Sequence, residues 1–169
     1  MREIIYVSGG QRSGKSRFAQ EMVERLSCEP HYLATARCWD EEFAKRIKRH
    51  QDDRGAHWVN IEEQINISSL NLSGRVVMMD CVTLWITNIY VDNQYDAEKS
   101  LAEAKEEWDK FIEQDFTLVV ISNEIGMGVI PMDSSTRAFV DLQGWINQYI
   151  AASADSAYTL ISGIPLKIK

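Results

Sequence analysis

The sequence predicts an α/β fold in which helices cover both faces of a mostly parallel sheet. Short apolar runs of strand length alternate along the chain with longer segments whose apolar residues recur at helical spacing. Some of these runs are apolar almost without interruption, as in TLVVIS at 117–122. That pattern is typical of strands that are buried on both faces of a parallel sheet.

The predicted elements follow one another without a linker or an internal repeat. Strands are predicted at 3–8, 30–35, 75–80, 117–122 and 157–162. Helices are predicted at 16–26, 40–52, 84–90, 96–113 and 134–152, with Asp40 as a candidate N-cap of the second. Polar turn residues interrupt 61–73, and we assign no regular element there. We therefore expect residues 1–169 to form a single nucleotide-binding catalytic domain.

The composition is that of an ordinary globular protein and narrows the function classes. Of the 169 residues, 45% are hydrophobic and 25% are charged, and the formal net charge is −7. An acidic chain argues against a nucleic-acid partner, which usually requires a basic surface. The three cysteines lack metal-ligand spacing and are expected to be reduced thiols. We recognise no secretory signal and no apolar stretch long enough to span a bilayer, so a cytoplasmic protein is expected.

The most informative segment lies between the first predicted strand and the first predicted helix. It fits G-x-x-x-x-G-K-[ST], in which glycines allow a tight turn and backbone N–H groups converge on phosphate oxygens. Lys15 would supply a catalytic cation to the β- and γ-phosphates, and the Ser16 hydroxyl would ligate Mg²⁺. This predicts a P-loop NTPase-like (RecA-like) fold that binds a purine nucleoside triphosphate; a glycine turn without function is the competing interpretation. The predicted contacts are Gly9, Gly10, Gln11, Arg12, Ser13, Gly14, Lys15 and Ser16.

Two carboxylates follow predicted strands at the edge where the phosphate loop is expected. Asp80 ends the strand RVVMMD and is the candidate carboxylate for a nucleotide-bound Mg²⁺, although it could also cap the next helix. Glu124 follows TLVVIS, and ligands gather at the carboxyl ends of parallel strands. A local turn contact is an equally good interpretation of Glu124.

A basic segment, KRIKRHQDDR at 45–54, concentrates positive charge in this acidic chain. Arg46, Arg49 and His50 share one face of the predicted helix. Neighbouring guanidinium groups disfavour protonation of the imidazole, which leaves a nitrogen free to attack phosphorus. Taken alone, the segment favours a plainer interpretation, a solvated and salt-bridged helix face. His31 and His57 are expected to serve packing.

Six segments of the chain together point to one family. They are VSGGQRSGKSRFAQ at 7–20, YLATA at 32–36, RIKRHQDDRGAHW at 46–58, DCVTLWITN at 80–88, SNEIGMGVIP at 122–131 and ADSAYTLISGIPLKIK at 154–169. In this order they resemble the bifunctional adenosylcobinamide kinase / adenosylcobinamide-phosphate guanylyltransferase family. The phosphate loop is common to many proteins, whereas SNEIGMGVIP and the spacing R-I-x-x-H-x-x-x-R-x-x-x-W are far more specific.

The resemblance implies two successive reactions. ATP or GTP first phosphorylates adenosylcobinamide; GTP then guanylylates the catalytic histidine, here His50, with loss of pyrophosphate. The GMP group finally passes to adenosylcobinamide phosphate, which gives adenosylcobinamide-GDP. The resemblance also implies a homotrimer with sites near subunit interfaces. The family's GTP contacts fall on the phosphate loop and on Ala34, Thr35, Ala36, Gln51, Asp52, Asp53, Arg54, Glu62 and Asp80.

One departure and two alternatives remain. Gly55 stands where the family usually has proline, and glycine loosens the turn at 51–55. The chain could instead be a plain small-molecule kinase that uses only the phosphate loop and Asp80, or a binding module gated by nucleotide. A covalent protein–GMP bond is expected only for the histidine mechanism.

Overall fold

The computed structural model describes residues 2–38 and 55–169. The predicted helix at 40–52 lies outside the described residues. So do Arg46, Arg49 and His50 and the predicted nucleotide contacts at 51–54.

The core of the fold is a seven-stranded sheet whose strands run in the spatial order β3-β2-β4-β5-β1-β6-β7. Neighbouring strands pair in parallel, except that β7 runs antiparallel to β6. The predicted α/β class and the mostly parallel sheet are confirmed. The strands are β1 Glu3–Gly9, β2 His31–Ala34, β3 Val59–Glu62, β4 Val76–Asp80, β5 Thr117–Asn123, β6 Ser156–Ile161 and β7 Ile164–Lys167.

Four helices of the described residues pack on this sheet. They are α1 Lys15–Leu26, α2 Val82–Asp92, α3 Ala97–Phe111 and α4 Ser134–Ser153, with a short 3-10 helix at Ile67–Ser69. The last two α-helices begin at aspartate caps: the side chain of Asp96 accepts from the backbone N–H of Lys99, and that of Asp133 from Thr136. Such caps satisfy N–H groups that have no partner inside a helix.

Alternating side chains of the central strands divide the interior into two cores. In β1, Ile4 and Tyr6 belong to the core covered by α2, α3 and α4, whereas Ile5 and Val7 belong to the core under α1. Successive residues of a strand point to opposite faces, so apolar runs such as TLVVIS serve both cores. Helices therefore cover both faces, as predicted. Within the described ranges, no helix combines the length and the apolar character needed to cross a membrane.

The sequence failed to predict two short strands at the edges of the sheet. β3 lies within and just before residues 61–73, where polar turn residues predict no regular element, and β7 follows the last predicted strand. Both have four residues, and none of their side chains is fully buried. Without a buried face, a short strand lacks the hydrophobic periodicity on which such predictions depend.

Candidate nucleotide-binding site

The phosphate loop joins the end of β1 to the start of α1, and glycine is required at both of its ends. Gly9 has φ +152°, and a Cβ there would lie 2.6 Å from Ser13 Oγ and 2.7 Å from the Leu160 carbonyl oxygen. Gly14 has φ +95°, which side-chain-bearing residues rarely adopt. The tight turn expected from the motif is therefore present, and it aims the N-terminus of α1 at the loop.

Lys15, the first residue of α1, is buried at the loop rather than extended into solvent. Its side chain is 7% exposed, and Nζ donates a hydrogen bond to the Gly10 carbonyl oxygen at 2.6 Å. Burial lowers the pKa of Lys15, whereas Cys81 and the Asp80 carboxylate raise it. A cation held inside the loop in this way is well placed to exchange a carbonyl oxygen for a phosphate oxygen.

The hydroxyl of Ser13 is a buried polar group with no hydrogen-bond partner among the described residues. A buried polar atom without a partner is costly, and a ligand at the loop would supply one. The Ser13 carbonyl oxygen does have a partner, because Gly163 in the turn between β6 and β7 donates its N–H at 2.9 Å. The loop thus rests on the turn of the C-terminal hairpin.

Asp80 ends β4 and faces the first turn of α1. Its Oδ2 accepts hydrogen bonds from Ser16 Oγ at 3.4 Å and from the Tyr32 hydroxyl at 3.1 Å. The N-cap of α2 is Cys81 and not Asp80, so the capping interpretation of Asp80 is wrong. Two oxygen-bearing side chains from different elements thus lie together beside the phosphate loop.

This arrangement suits a magnesium ion that is bound together with nucleotide. Mg²⁺ prefers oxygen ligands and is usually held by one or two protein groups plus phosphates and water. The hydroxyl of Ser16 and the carboxylate of Asp80 fit that requirement. Within residues 2–38 and 55–169, no cluster of three or more His, Cys, Asp or Glu side chains forms a metal cage.

Two other predicted contacts, Ala34 and Glu62, align with Asp80 along the same edge of the sheet. Ala34 pairs with Glu62 on one side and with Asp80 on the other, so the ends of β2, β3 and β4 lie in register. Parallel strands bring their carboxyl ends to one edge, which is where ligands bind in such sheets. The structure therefore brings Glu62, a residue that only the resemblance suggested, onto the same sheet edge as Asp80.

Thr35 ties the ends of β2 and β4 together. It is fully buried; its hydroxyl donates to the Cys81 carbonyl oxygen at 2.8 Å and accepts from the Cys81 N–H at 3.0 Å. Asn88 of α2 joins the segments that follow β2 and β3, since its Nδ2 donates to the carbonyl oxygens of Thr35 and Gln64 at 2.8 and 3.0 Å. These bonds hold the backbone immediately after Asp80 and the neighbouring end of β2.

We expect Thr35→Val to destabilise the protein, because the buried N–H of Cys81 would lose its hydrogen-bond acceptor and the Cys81 carbonyl would keep only the N–H of Trp85. The loss should be about 3 kcal/mol in the free energy of unfolding, measured by urea denaturation. The matched variant Thr35→Ser keeps the hydroxyl and should lose no more than about 1 kcal/mol. A larger loss in Thr35→Ser than in Thr35→Val would mean that the methyl group, and not the hydrogen bonds, stabilises this position.

The other candidate side chains have local roles. Glu124 follows β5, and its Oε1 accepts from the Gly126 N–H at 2.8 Å, which supports the turn interpretation. His31 is buried in β2 with Nδ1 3.3 Å from the Glu29 carbonyl oxygen. His57 is half-exposed and lies 3.9 Å from the Glu24 carboxylate.

Within the described part of the site, the exposed residues of the phosphate loop are Gly10, Gln11 and Arg12. Ala36 lies directly after Thr35. His50, Gln51, Asp52, Asp53 and Arg54 lie outside the described residues and stay predictions. Sequence reasoning missed three supporting contacts, those of Tyr32, Asn88 and Gly163. Tyr32 and Asn88 do occur in the segments YLATA and DCVTLWITN, which carried the resemblance.

Comparison with known proteins identifies the relatives of this chain. The sequence model of the family described as cobinamide kinase / cobinamide phosphate guanyltransferase matches residues 5–168. The bifunctional adenosylcobalamin biosynthesis protein CobP of Pseudomonas aeruginosa is 34% identical over 100% of this chain and 98% of its own length. The bifunctional adenosylcobalamin biosynthesis protein CobU of Escherichia coli is 34% identical over 98% of this chain and 99% of its own. CobU of Salmonella typhimurium is 32% identical over the same shares.

Among solved structures, the flagellar accessory protein FlaH from Methanocaldococcus jannaschii is similar to this chain with a TM-score of 0.48. The two are 14% identical, and the alignment covers 99% of this chain and 78% of FlaH.

Proposed function

The chain belongs to the cobinamide kinase / cobinamide phosphate guanyltransferase family, and from that premise we propose that it catalyses both reactions. In the first, the γ-phosphoryl group of ATP or GTP passes to the free hydroxyl of adenosylcobinamide. In the second, the GMP group of GTP passes to adenosylcobinamide phosphate with release of pyrophosphate. The relatives from Pseudomonas aeruginosa and Escherichia coli are both named bifunctional adenosylcobalamin biosynthesis proteins.

The observation that carries this proposal is the convergence of Lys15, Ser16 and Asp80 at the phosphate loop. A buried ammonium group, a hydroxyl and a carboxylate approach one another where β1 and β4 end. Phosphoryl transfer depends mainly on positioning and on neutralising the charge of the phosphate oxygens, and this set of groups supplies both. When bound, Mg²⁺ held by Ser16 and Asp80 would contribute further positive charge to the phosphates.

We propose His50 as the nucleophile of the guanylyl step. An imidazole nitrogen of His50 forms a bond to the α-phosphorus of GTP while the bond from that phosphorus to the bridging oxygen breaks, and pyrophosphate leaves. A phosphate oxygen of adenosylcobinamide phosphate then attacks the same phosphorus and releases the histidine. Lys15 in the phosphate loop would stabilise the negative charge of the departing pyrophosphate. The spacing R-I-x-x-H-x-x-x-R-x-x-x-W at 46–58 supports this assignment.

The proposal is tested by incubating the protein with Mg²⁺ and GTP labelled at the α-phosphate, and then with adenosylcobinamide phosphate. We expect an acid-labile, base-stable label on the protein that is chased into the corrinoid product. GTP labelled at the γ-phosphate should instead label adenosylcobinamide and leave the protein unlabelled. A protein that phosphorylates adenosylcobinamide but never acquires the α-label would be a plain kinase, and the second half of the proposal would fail.

We also propose that residues 1–169 form one catalytic domain, that it works in the cytoplasm and that three copies assemble. The sheet, which includes strands from residue 3 to residue 167, supports a single domain. The three cysteines, two of them exposed at the surface, suit a reducing compartment. An exposed apolar face on the C-terminal hairpin supports assembly. This hairpin face consists of Ile161, Ile164, Leu166 and Ile168.

Charged substitutions on the hairpin face are expected to separate the subunits. Ile164 is 70% exposed and Leu166 55% exposed in the isolated chain, and exposed apolar patches mark interfaces. The double variant Ile164→Glu, Leu166→Glu should elute as a 19.4 kDa monomer in light-scattering chromatography, whereas the wild type elutes as three chains. Activity should fall as well, because the hairpin turn contacts the phosphate loop.

The matched control for this experiment is Lys99→Glu, which adds negative charge at an exposed position in the first turn of α3. It should leave the molar mass unchanged. A wild-type protein that elutes as a monomer at all concentrations would contradict the assembly, and a trimeric double variant would exclude this face as the interface.

A further inference from the structure

A buried phenol reaches the candidate metal site from a neighbouring strand. Tyr32 lies in β2 two residues before Ala34, which is in register with Asp80 of β4. Residues two apart on a strand point to the same face of the sheet, so Tyr32 lies on the face to which Ala34 points. The Tyr32 side chain is 6% exposed, and its hydroxyl donates to Asp80 Oδ2 at 3.1 Å.

The ring of Tyr32 is held in place by contacts that do not involve the nucleotide. The ring packs edge-on against Trp58 with the ring centroids 6.4 Å apart and the planes inclined at 77°. The indole N–H of Trp58 in turn donates to Glu24 Oε1 at 3.1 Å, which ties this aromatic pair to α1. Edge-to-face aromatic packing restricts the ring and so holds the phenol oxygen beside Asp80.

The carboxylate of Asp80 therefore receives two hydroxyl donors on one oxygen. Ser16 approaches Oδ2 from α1, and Tyr32 approaches the same atom from β2. Two donors on a single oxygen restrict rotation of the carboxylate, so that its second oxygen keeps a fixed direction. Hydrogen bonds to metal-binding side chains commonly orient them in this way, and their loss weakens metal binding.

We infer that Tyr32 is a positioning residue for the metal-binding carboxylate of Asp80, an inference that rests on the proposed function. Tyr32 does not itself bind the metal or the phosphates. It holds Asp80 in the orientation that receives the cation, so that less rotational freedom is lost when Mg²⁺ and nucleotide bind. The simpler alternative is that Asp80 only supplies a hydrogen-bond partner for a buried phenol. The two alternatives differ in what happens to metal affinity when the hydroxyl is removed.

The test compares Tyr32→Phe with the wild type in a direct metal-binding experiment. Mn²⁺, which takes the same oxygen ligands as Mg²⁺, is titrated into protein saturated with α,β-methylene GTP, and free Mn²⁺ is measured by electron paramagnetic resonance. This analogue resists cleavage at its α–β bond, and the corrinoid acceptor is left out, so no reaction occurs. We expect the Mn²⁺ dissociation constant to rise about tenfold in Tyr32→Phe. The affinity for the analogue in the presence of EDTA should stay the same.

The matched control is Tyr90→Phe, which removes another buried phenol hydroxyl, one that donates to the Ser135 carbonyl oxygen at 3.2 Å. It should leave both affinities unchanged. A Mn²⁺ dissociation constant within about twofold of the wild type in Tyr32→Phe would overturn the inference and leave the proposed function standing. So would a Tyr32→Phe protein that circular dichroism finds unfolded, because the hydroxyl would then be needed for folding itself. A wild-type protein that does not bind Mn²⁺ at all would overturn the metal site and this inference together.

Discussion

His50→Ala is expected to abolish guanylyl transfer and to leave much of the kinase activity. Alanine has no nitrogen that can form a bond to the α-phosphorus, so neither the covalent adduct nor adenosylcobinamide-GDP should form. Removal of a covalent nucleophile usually costs several orders of magnitude, and we expect a loss of at least about 10³-fold. The kinase step uses groups of the phosphate loop and should stay within about tenfold of the wild type. The two rates are measured with GTP labelled at the α-phosphate and ATP labelled at the γ-phosphate.

The control for this experiment is His57→Ala. His57 is half-exposed beside the Glu24 carboxylate, and its imidazole has no role in the proposed reaction. This variant should acquire the GMP label at the rate of the wild type. A labelled adduct on His50→Ala, or an adduct that peptide mapping assigns to another residue, would refute the assignment of His50.

Lys15→Met is expected to impair both reactions, because both depend on the charge of the phosphate loop. The ammonium group is buried against the Gly10 carbonyl oxygen, at the point where the β- and γ-phosphates are expected to bind. Removing one preorganised donor from such a site costs about 10²–10³-fold in rate, and we expect at least that loss in each half-reaction. Steady-state kinetics with separately labelled substrates measures the two losses.

The same substitution should not destabilise the folded protein. Burial lowers the pKa of Lys15, so folding holds this ammonium group in surroundings that disfavour its charge. Methionine has a similar length and no charge, and the melting temperature should remain equal or rise. Arg17→Met, on the exposed side of the same helix, should change neither rate nor melting temperature by much. An active Lys15→Met protein would contradict the role of Lys15, and an unfolded one would show that the ammonium group is needed for folding.

The parts of this protein that sequence predicted best are those in which neighbouring residues interact. The phosphate loop is contiguous, so its glycines, Lys15 and Ser16 are recognisable from spacing alone, and the structure has the predicted strand, turn and helix. The predicted strands at 75–80 and 117–122 are present as β4 and β5. A short, uninterrupted apolar run is stable mainly as a strand that is buried on both faces of a sheet. The assignment of His50 as the nucleophile stays a prediction that rests on sequence and resemblance.

Other features depend on partners that are distant in sequence. The strand order brings Ala34, Glu62 and Asp80 into register, although no two of these residues are close in the sequence. The short edge strands β3 and β7 exist only because a neighbour supplies their hydrogen bonds. No local pattern encodes such pairings.

The sequence by itself determined the α/β class, the phosphate loop and the candidate residues, because backbone conformation and hydrophobic periodicity are local properties. Only the tertiary structure decided that Ser16 and Tyr32 share one oxygen of Asp80, that Thr35 ties β2 to β4 and that the turn at Gly163 supports the loop. These contacts join residues that lie 46, 48, 64 and 150 positions apart in the sequence. Contacts across such separations form when the sheet assembles, and so they depend on packing and not on the neighbouring sequence.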